Sequence, residues 1–186
     1  MRFDPTAIPG CVAVRPERHA DSRGYFARTW DGAAFSAAGL NPAVAQCSVS
    51  FNERRGTLRG MHFQAAPHAE AKLVRCTRGA LWDVCLDLRP DSPTLHQWHA
   101  EVLTAENGAA LVVPEGCAHG FLTLSDATEV FYMMSAPYAP EAGRGVRWDD
   151  PAFGITWPEP VQVIHERDAS YPYVEGPADE PGSGSA

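Results

Sequence analysis

The sequence predicts an all-β protein, a sandwich or barrel of short strands carrying one or two short helices. Turn residues recur every eight to twelve residues or so, at Gly56, Gly79, Pro90, Pro93, Gly108 and Pro114, the rhythm of strands joined by tight connections. Glycine and proline number 16 each in 186 residues, about one residue in six against about one in eight on average. Only residues 31–40 read as a convincing helix.

In chain order, residues 8–16 form a short opening strand between prolines. His19 to Phe26 is a turn feeding an aromatic strand. Asp31 is placed to cap the helix, alanines and Phe35 fill it, and Gly39 with Pro42 ends it. Strands follow at 44–51, 57–64, 71–76, 80–88, 96–103, 109–113, 119–124 and 127–135. Beyond Tyr138 the chain is irregular, with Trp148 and Trp157 packing over one end. Residues 1–173 read as a single domain and 174–186 as a disordered acidic Gly/Ser-rich tail.

Composition narrows the function. Hydrophobic content is 45% and charged content 20%, ordinary for a globular protein. A net charge of −8 excludes a nucleic-acid partner, because binding a phosphate backbone needs a basic face. Lys72 is the one lysine, and the other basic residues are arginines. Five scattered cysteines, no apolar secretory core at the N-terminus and no membrane-length apolar run point to a reduced cytoplasm.

The stretch Thr57-Leu58-Arg59-Gly60-Met61-His62-Phe63-Gln64 concentrates the chemistry. Strand alternation places Leu58, Gly60, His62 and Gln64 on one face, where glycine leaves room for something to approach the imidazole. Gln64, two residues after His62, is an indifferent metal ligand, and His96 and His99 point to opposite faces of their strand, so no metal site is expected. Acid–base chemistry fits better. The imidazole of His62 serves as a base once a carboxylate orients it. Tyr132 offers a phenol on a strand, Lys72 and Arg59 offer cations, and His119 opens an apolar strand after a turn.

These residues occur within an ordered motif set: Asp21-Ser-Arg-Gly-Tyr-Phe26, Gly56 to Gln64, Ala71-Lys-Leu-Val-Arg75, Asp83 to Arg89, Ser92-Pro-Thr94, Pro114 to Phe121, Tyr132 and Trp148-Asp-Asp-Pro151. In order and spacing the set resembles the dTDP-4-dehydrorhamnose 3,5-epimerase family, from about Ile8 to Pro172. The resemblance implies a cupin jelly roll, a homodimer, no metal or cofactor, and a nucleotide-linked 4-keto-6-deoxyhexose as substrate. It implies His62 as base, Asp168 as its orienting carboxylate and Tyr132 as acid on the opposite face of the sugar. Lys72 would hold the 4-keto oxygen, Arg59 the diphosphate, and His119 would line the pocket. Gln46, Tyr138 and Arg167 would also contact substrate. Arg23, Phe26 and Arg28 belong to a segment, 21–28, expected to reach the partner's nucleotide site. Arg28 stands where the family has glutamate, Val44-Ala45-Gln46 where it has Gln-x-Asn, Gly143 where it has glutamate and Arg167 where it has lysine. On that account a carrier other than dTDP, or inversion at one centre alone, is the alternative reading, and a non-catalytic sugar-nucleotide binder is the further one.

Overall fold

The computed structural model describes residues 1–174. It is a sandwich of two six-stranded sheets with two short helices. Its strands are β1 (Arg2–Pro5), β2 (Val12–Arg15), β3 (Arg18–Asp21), β4 (Gly24–Ala27), β5 (Gln46–Asn52), β6 (Thr57–Gln64), β7 (Lys72–Arg78), β8 (Ala80–Asp87), β9 (Trp98–Thr104), β10 (Ala110–Val113), β11 (Cys117–Thr123), β12 (Thr128–Met134), β13 (Gly143–Gly145) and β14 (Val163–Ile164). Helix α1 is Gly32–Ala37 and α2 is Glu166–Ala169.

One sheet runs β1-β2-β10-β7-β12-β5. The other runs β13-β6-β11-β8-β9, with β14 also on β6, while β3 and β4 pair only with each other. The main core lies between the sheets and holds Val74, Leu111 and Val130 from the first against Leu81, Cys85, Leu103 and Phe121 from the second. Each sheet is also covered outside. Phe35 of α1 packs on Leu73 and Val112, and Phe153 packs with Met61, Val84 and Leu86. Two-sided cover explains why β10 and β11 are buried at every residue and show no apolar–polar alternation.

Asp31 caps α1 as expected, its carboxylate accepting from the Ala34 N–H at 3.0 Å. Trp157 Nε1 donates to the Trp148 carbonyl at 3.0 Å and its ring lies 5.3 Å from that of Trp82, closing one end. Two expectations need correction. The opening strand covers only Val12–Arg15 and is preceded by β1, because Cys11 N–H turns back to the Ile8 carbonyl with Gly10 at φ 82°. His96 is not on a strand: at φ 65° it stands in the turn before β9, whereas His99 is on it. The tail expectation falls from residue 175 onward outside the described residues, and Val174 is tied down through its N–H to Asp150 at 2.6 Å. No helix among the described residues is long and apolar enough to cross a membrane.

β8 ends on a fully buried carboxylate, Asp87. It accepts from the Arg89 guanidinium at 2.7 and 2.9 Å, from Ser92 at 2.5 Å and from Thr94 at 2.7 Å, fixing the loop that follows. Burial pushes this carboxyl up, but the donors, Arg89 foremost, outweigh it and hold the pKa far below the usual value. The unfolded value is about 3.9, so the stability gained is complete above roughly pH 4 and is lost as pH falls towards the folded value. Asp87→Ala is expected to lower unfolding stability by about 3 kcal/mol in urea at neutral pH, since it strands a partly buried arginine. A loss within experimental error would contradict that assignment.

Candidate active site

The site is organised by β6. One of its edges pairs with β11; the other takes β13 at its C-terminal half and β14, in parallel, at its start. Opposite β11, His62 faces His119 and Arg59 faces Phe121, so three steps on β6 match two on β11. The extra residue is a bulge. It corrects the expected alternation: Arg59 and His62, three apart, both line one cavity, while Met61 turns into the outer core. Two glycines permit the crossing. A Cβ on Gly60, at φ 139°, would lie 2.5 Å from Gly120 Cα, and one on Gly120 would lie 2.5 Å from Met61 Sδ.

β14 leads through one residue into α2, which delivers Asp168 beneath the bulge. Asp168 is 3% exposed. Its Oδ1 accepts from His62 Nε2 at 2.8 Å, and its Oδ2 from the Gly60 N–H at 3.2 Å. Burial pushes the Asp168 carboxyl up, but His62, Gly60 and Arg167 outweigh it and hold it below its ordinary value. The carboxylate therefore stays charged, fixes the hydrogen on Nε2, and leaves the other imidazole nitrogen to accept a proton. Arg167 Nε also reaches Asp168, at 3.3 Å, and its Nη2 lies 3.2 Å from His62 Nε2. With Nε2 donating to Asp168, that last contact is proximity of a cation rather than a hydrogen bond.

The cavity has a volume of about 670 Å³ and lies between the sheets. His62 and His119 enter it from the second sheet, Tyr132 and Lys72 from the first. Every one of these groups is held. His119 Nε2 bonds the fully buried Asp83 at 2.7 Å. Arg59 Nε donates to Asn52 at 2.7 Å, and Lys72 pairs with Glu70. The Tyr132 hydroxyl meets Ser50 Oγ at 3.1 Å. Burial pushes the Tyr132 pKa well above its ordinary value, with Ser50 opposing, Asp83 reinforcing and Arg59 opposing. This phenol keeps its proton at physiological pH, and in its pair with Ser50 either hydroxyl can donate.

Two side lobes extend the cavity. One, about 290 Å³, shares Arg59 and adds Asn52 and Arg54. The other, about 460 Å³, shares Lys72 and Tyr132 and adds Gln46 and Tyr138, whose N–H donates to Gln46 Oε1 at 2.7 Å. The result is an elongated cleft with Arg59 at one junction and Lys72 at the other.

Of the twelve residues proposed from sequence, Arg59, His62, Lys72, His119, Tyr132, Arg167 and Asp168 meet in the central cavity, and Gln46 and Tyr138 in the adjoining lobe. Arg23, Phe26 and Arg28 do not join them within the chain. Arg23 pairs with Asp21 at 2.6 Å, Arg28 with Asp31 at 2.8 Å, and Phe26 is 68% exposed. Gln64 turns away from His62, its amide donating to the carbonyls of His68 and Pro137. Sequence reasoning missed the anchors Ser50, Asn52, Glu70 and Asp83. A signal existed for two of them: Gln46, Ser48, Ser50 and Asn52 are the polar alternate residues of β5, and they line the three lobes in order.

A β-sandwich cleft with a carboxylate-held histidine on one wall and a tyrosine on the other carries groups suited to acid–base chemistry. The comparisons specify which kind. The family model for dTDP-4-dehydrorhamnose 3,5-epimerase matches residues 5–175, and the chain belongs to that family. A dTDP-4-dehydrorhamnose 3,5-epimerase of Sinorhizobium fredii is 44% identical over 92% of this chain and 89% of the relative. The crystal structure of the Bacillus anthracis enzyme, with TDP and PPi bound, superposes with a TM-score of 0.89 at 35% identity, covering 93% of this chain and 99% of the other. A 3'-monoepimerase of Streptomyces bikiniensis in complex with dTDP-quinovose superposes at 0.85 with 34% identity, covering 91% and 86%. The fold is a cupin jelly roll, and the chain is a carbohydrate epimerase, an isomerase.

Proposed function

We propose that the chain inverts C3 and C5 of dTDP-4-dehydro-6-deoxyglucose by proton transfer through an enolate. The observation that carries this reading is the His62–Asp168 pair set opposite the protonated Tyr132 across one cleft. Carbons flanking a ketone are acidified by it, so an imidazole suffices as base once the enolate oxygen is stabilised by a cation, here Lys72. Inversion requires removal on one face and return on the other; His62 and Tyr132 approach from different sheets. Asp168 keeps His62 in the tautomer whose free nitrogen accepts the proton. His119, held by Asp83, lines the sugar position, and Arg167 lies beside the His62–Asp168 pair. Arg59, Gln46 and Tyr138 occupy the lobes where diphosphate and nucleotide would extend.

Asp168→Asn is expected to lower kcat by about 10²-fold, less than loss of the base itself, because an amide oxygen still accepts from Nε2 but carries no charge. KM should change little. An unchanged kcat would remove Asp168 from the mechanism.

The S. bikiniensis likeness favours one second reading, inversion at C3 alone. Following dTDP-4-dehydro-6-deoxyglucose by NMR separates the two: inversion at both carbons supports the first, at one carbon the second, and no conversion would refute both.

The working form we propose is a homodimer in which segment 21–28 reaches the partner's cleft. Supporting this, among the described residues β3 and β4 pair with no other strand, Tyr25 and Phe26 are 56% and 68% exposed, and edge strand β5 exposes Val49 and Phe51. Sedimentation is expected to give a dimer at micromolar concentration, and Phe26→Ala should raise KM. A fully active monomer would contradict the arrangement.

A further inference from the structure

Resting on the reading of Tyr132 as the acid, we propose that Ser50 is the proton conduit that reloads Tyr132 between the two inversions. Each inversion moves one proton from carbon to His62 and one from the Tyr132 hydroxyl back to carbon. It leaves an imidazolium and a phenolate. A second inversion on the same sugar cannot begin until both are reset.

The two groups differ in their surroundings, although both side chains are half-buried. His62 is 32% exposed at the side chain, so its proton can leave directly to solvent. Tyr132 packs against the central core, with the His119 ring edge-on at 6.0 Å. Its hydroxyl has one hydrogen-bond partner among the described residues, Ser50 Oγ at 3.1 Å. The neighbouring candidates are committed elsewhere. His119 turns Nε2 to Asp83, Lys72 is paired with Glu70, and Arg59, bound to Asn52, cannot give up a proton. Ser50 is half-buried, lines the cavity, and stands on β5 at the edge of its sheet. A hydroxyl both donates and accepts, which is what a conduit needs. The Ser50 O–H passes its proton to the phenolate oxygen as a water gives one to Ser50 Oγ. The hydroxide left behind is neutralised by the proton released from His62, so the cycle balances with nothing consumed.

The test is single-turnover NMR of the full chain with dTDP-4-dehydro-6-deoxyglucose, comparing wild type, Ser50→Ala, Ser50→Thr and Tyr132→Phe. Ser50→Ala is expected to slow the second inversion by about tenfold or more beyond any effect on the first. Singly inverted sugar then accumulates. Ser50→Thr, which restores the hydroxyl, should restore the second inversion, and a small buffer acid should accelerate Ser50→Ala but not wild type. Equal slowing of both inversions without buffer rescue would show that Ser50 only positions the ring, and unchanged rates would show that it does neither; each overturns the proposal. If Tyr132→Phe inverts at full rate, the acid assignment itself fails, an outcome separate from loss of the conduit alone.

Discussion

His62→Ala is expected to abolish deuterium wash-in from D₂O at every epimerised carbon and to reduce kcat by about 10⁴-fold, the upper end of what a positioned base contributes. The size follows from the geometry. Among the described residues no other base shares the position: His119 is turned to Asp83, and the Asp168 carboxyl, held below its ordinary value, is too weak to deprotonate a carbon. Nucleotide binding should persist, because Arg59, Asn52 and Gln46 do not depend on the imidazole. The variant should therefore hold dTDP with nearly wild-type affinity while failing to catalyse exchange. Loss of both together would mean that the substitution had disturbed the β6 bulge rather than removed a base.

Tyr132→Phe is expected to divide exchange from inversion. In the proposed mechanism the phenol only delivers a proton to the face opposite His62. Without it, the enolate still forms and is reprotonated by the imidazolium from the side it left. Inversion should fall by about 10²–10⁴-fold, while exchange with retention of configuration continues within about tenfold of wild type. NMR reads both quantities in one sample. Equal loss of the two would instead place Tyr132 in stabilising the enolate. The Ser50 hydroxyl, left without its partner, sits in a cavity open to water, so the fold should tolerate the change.

Much of this site was legible through the ordered motif set and the family it resembles, while strand patterning by itself singled out only the segment around His62. The segment 57–64 was bounded correctly, and Asp31 announced α1 by its capping chemistry. The bulge was not legible. Period-two alternation sets His62 with Gly60 and Gln64, and only the close approach of Gly60 to Gly120, a contact between distant strands, brings Arg59 and His62 to one face. The elements that deliver Asp168 are also tertiary products. β13 and β14 have three and two residues and α2 has four, too short for any periodicity, and they exist because the free edge of β6 needs partners. The anchors of Tyr132, Arg59, Lys72 and His119 were hidden for a related reason: a serine, an asparagine and two carboxylates look like solvated polar residues until the fold encloses them.

The central claim is that His62 and Tyr132 carry protons to and from opposite faces of a 4-keto sugar. Its most direct test is a single turnover of dTDP-4-dehydro-6-deoxyglucose by the wild-type chain in D₂O, read by NMR at C3 and C5. The account predicts product inverted at both carbons, each carrying one solvent deuterium. Inverted product that retains its original hydrogen at either carbon would contradict it.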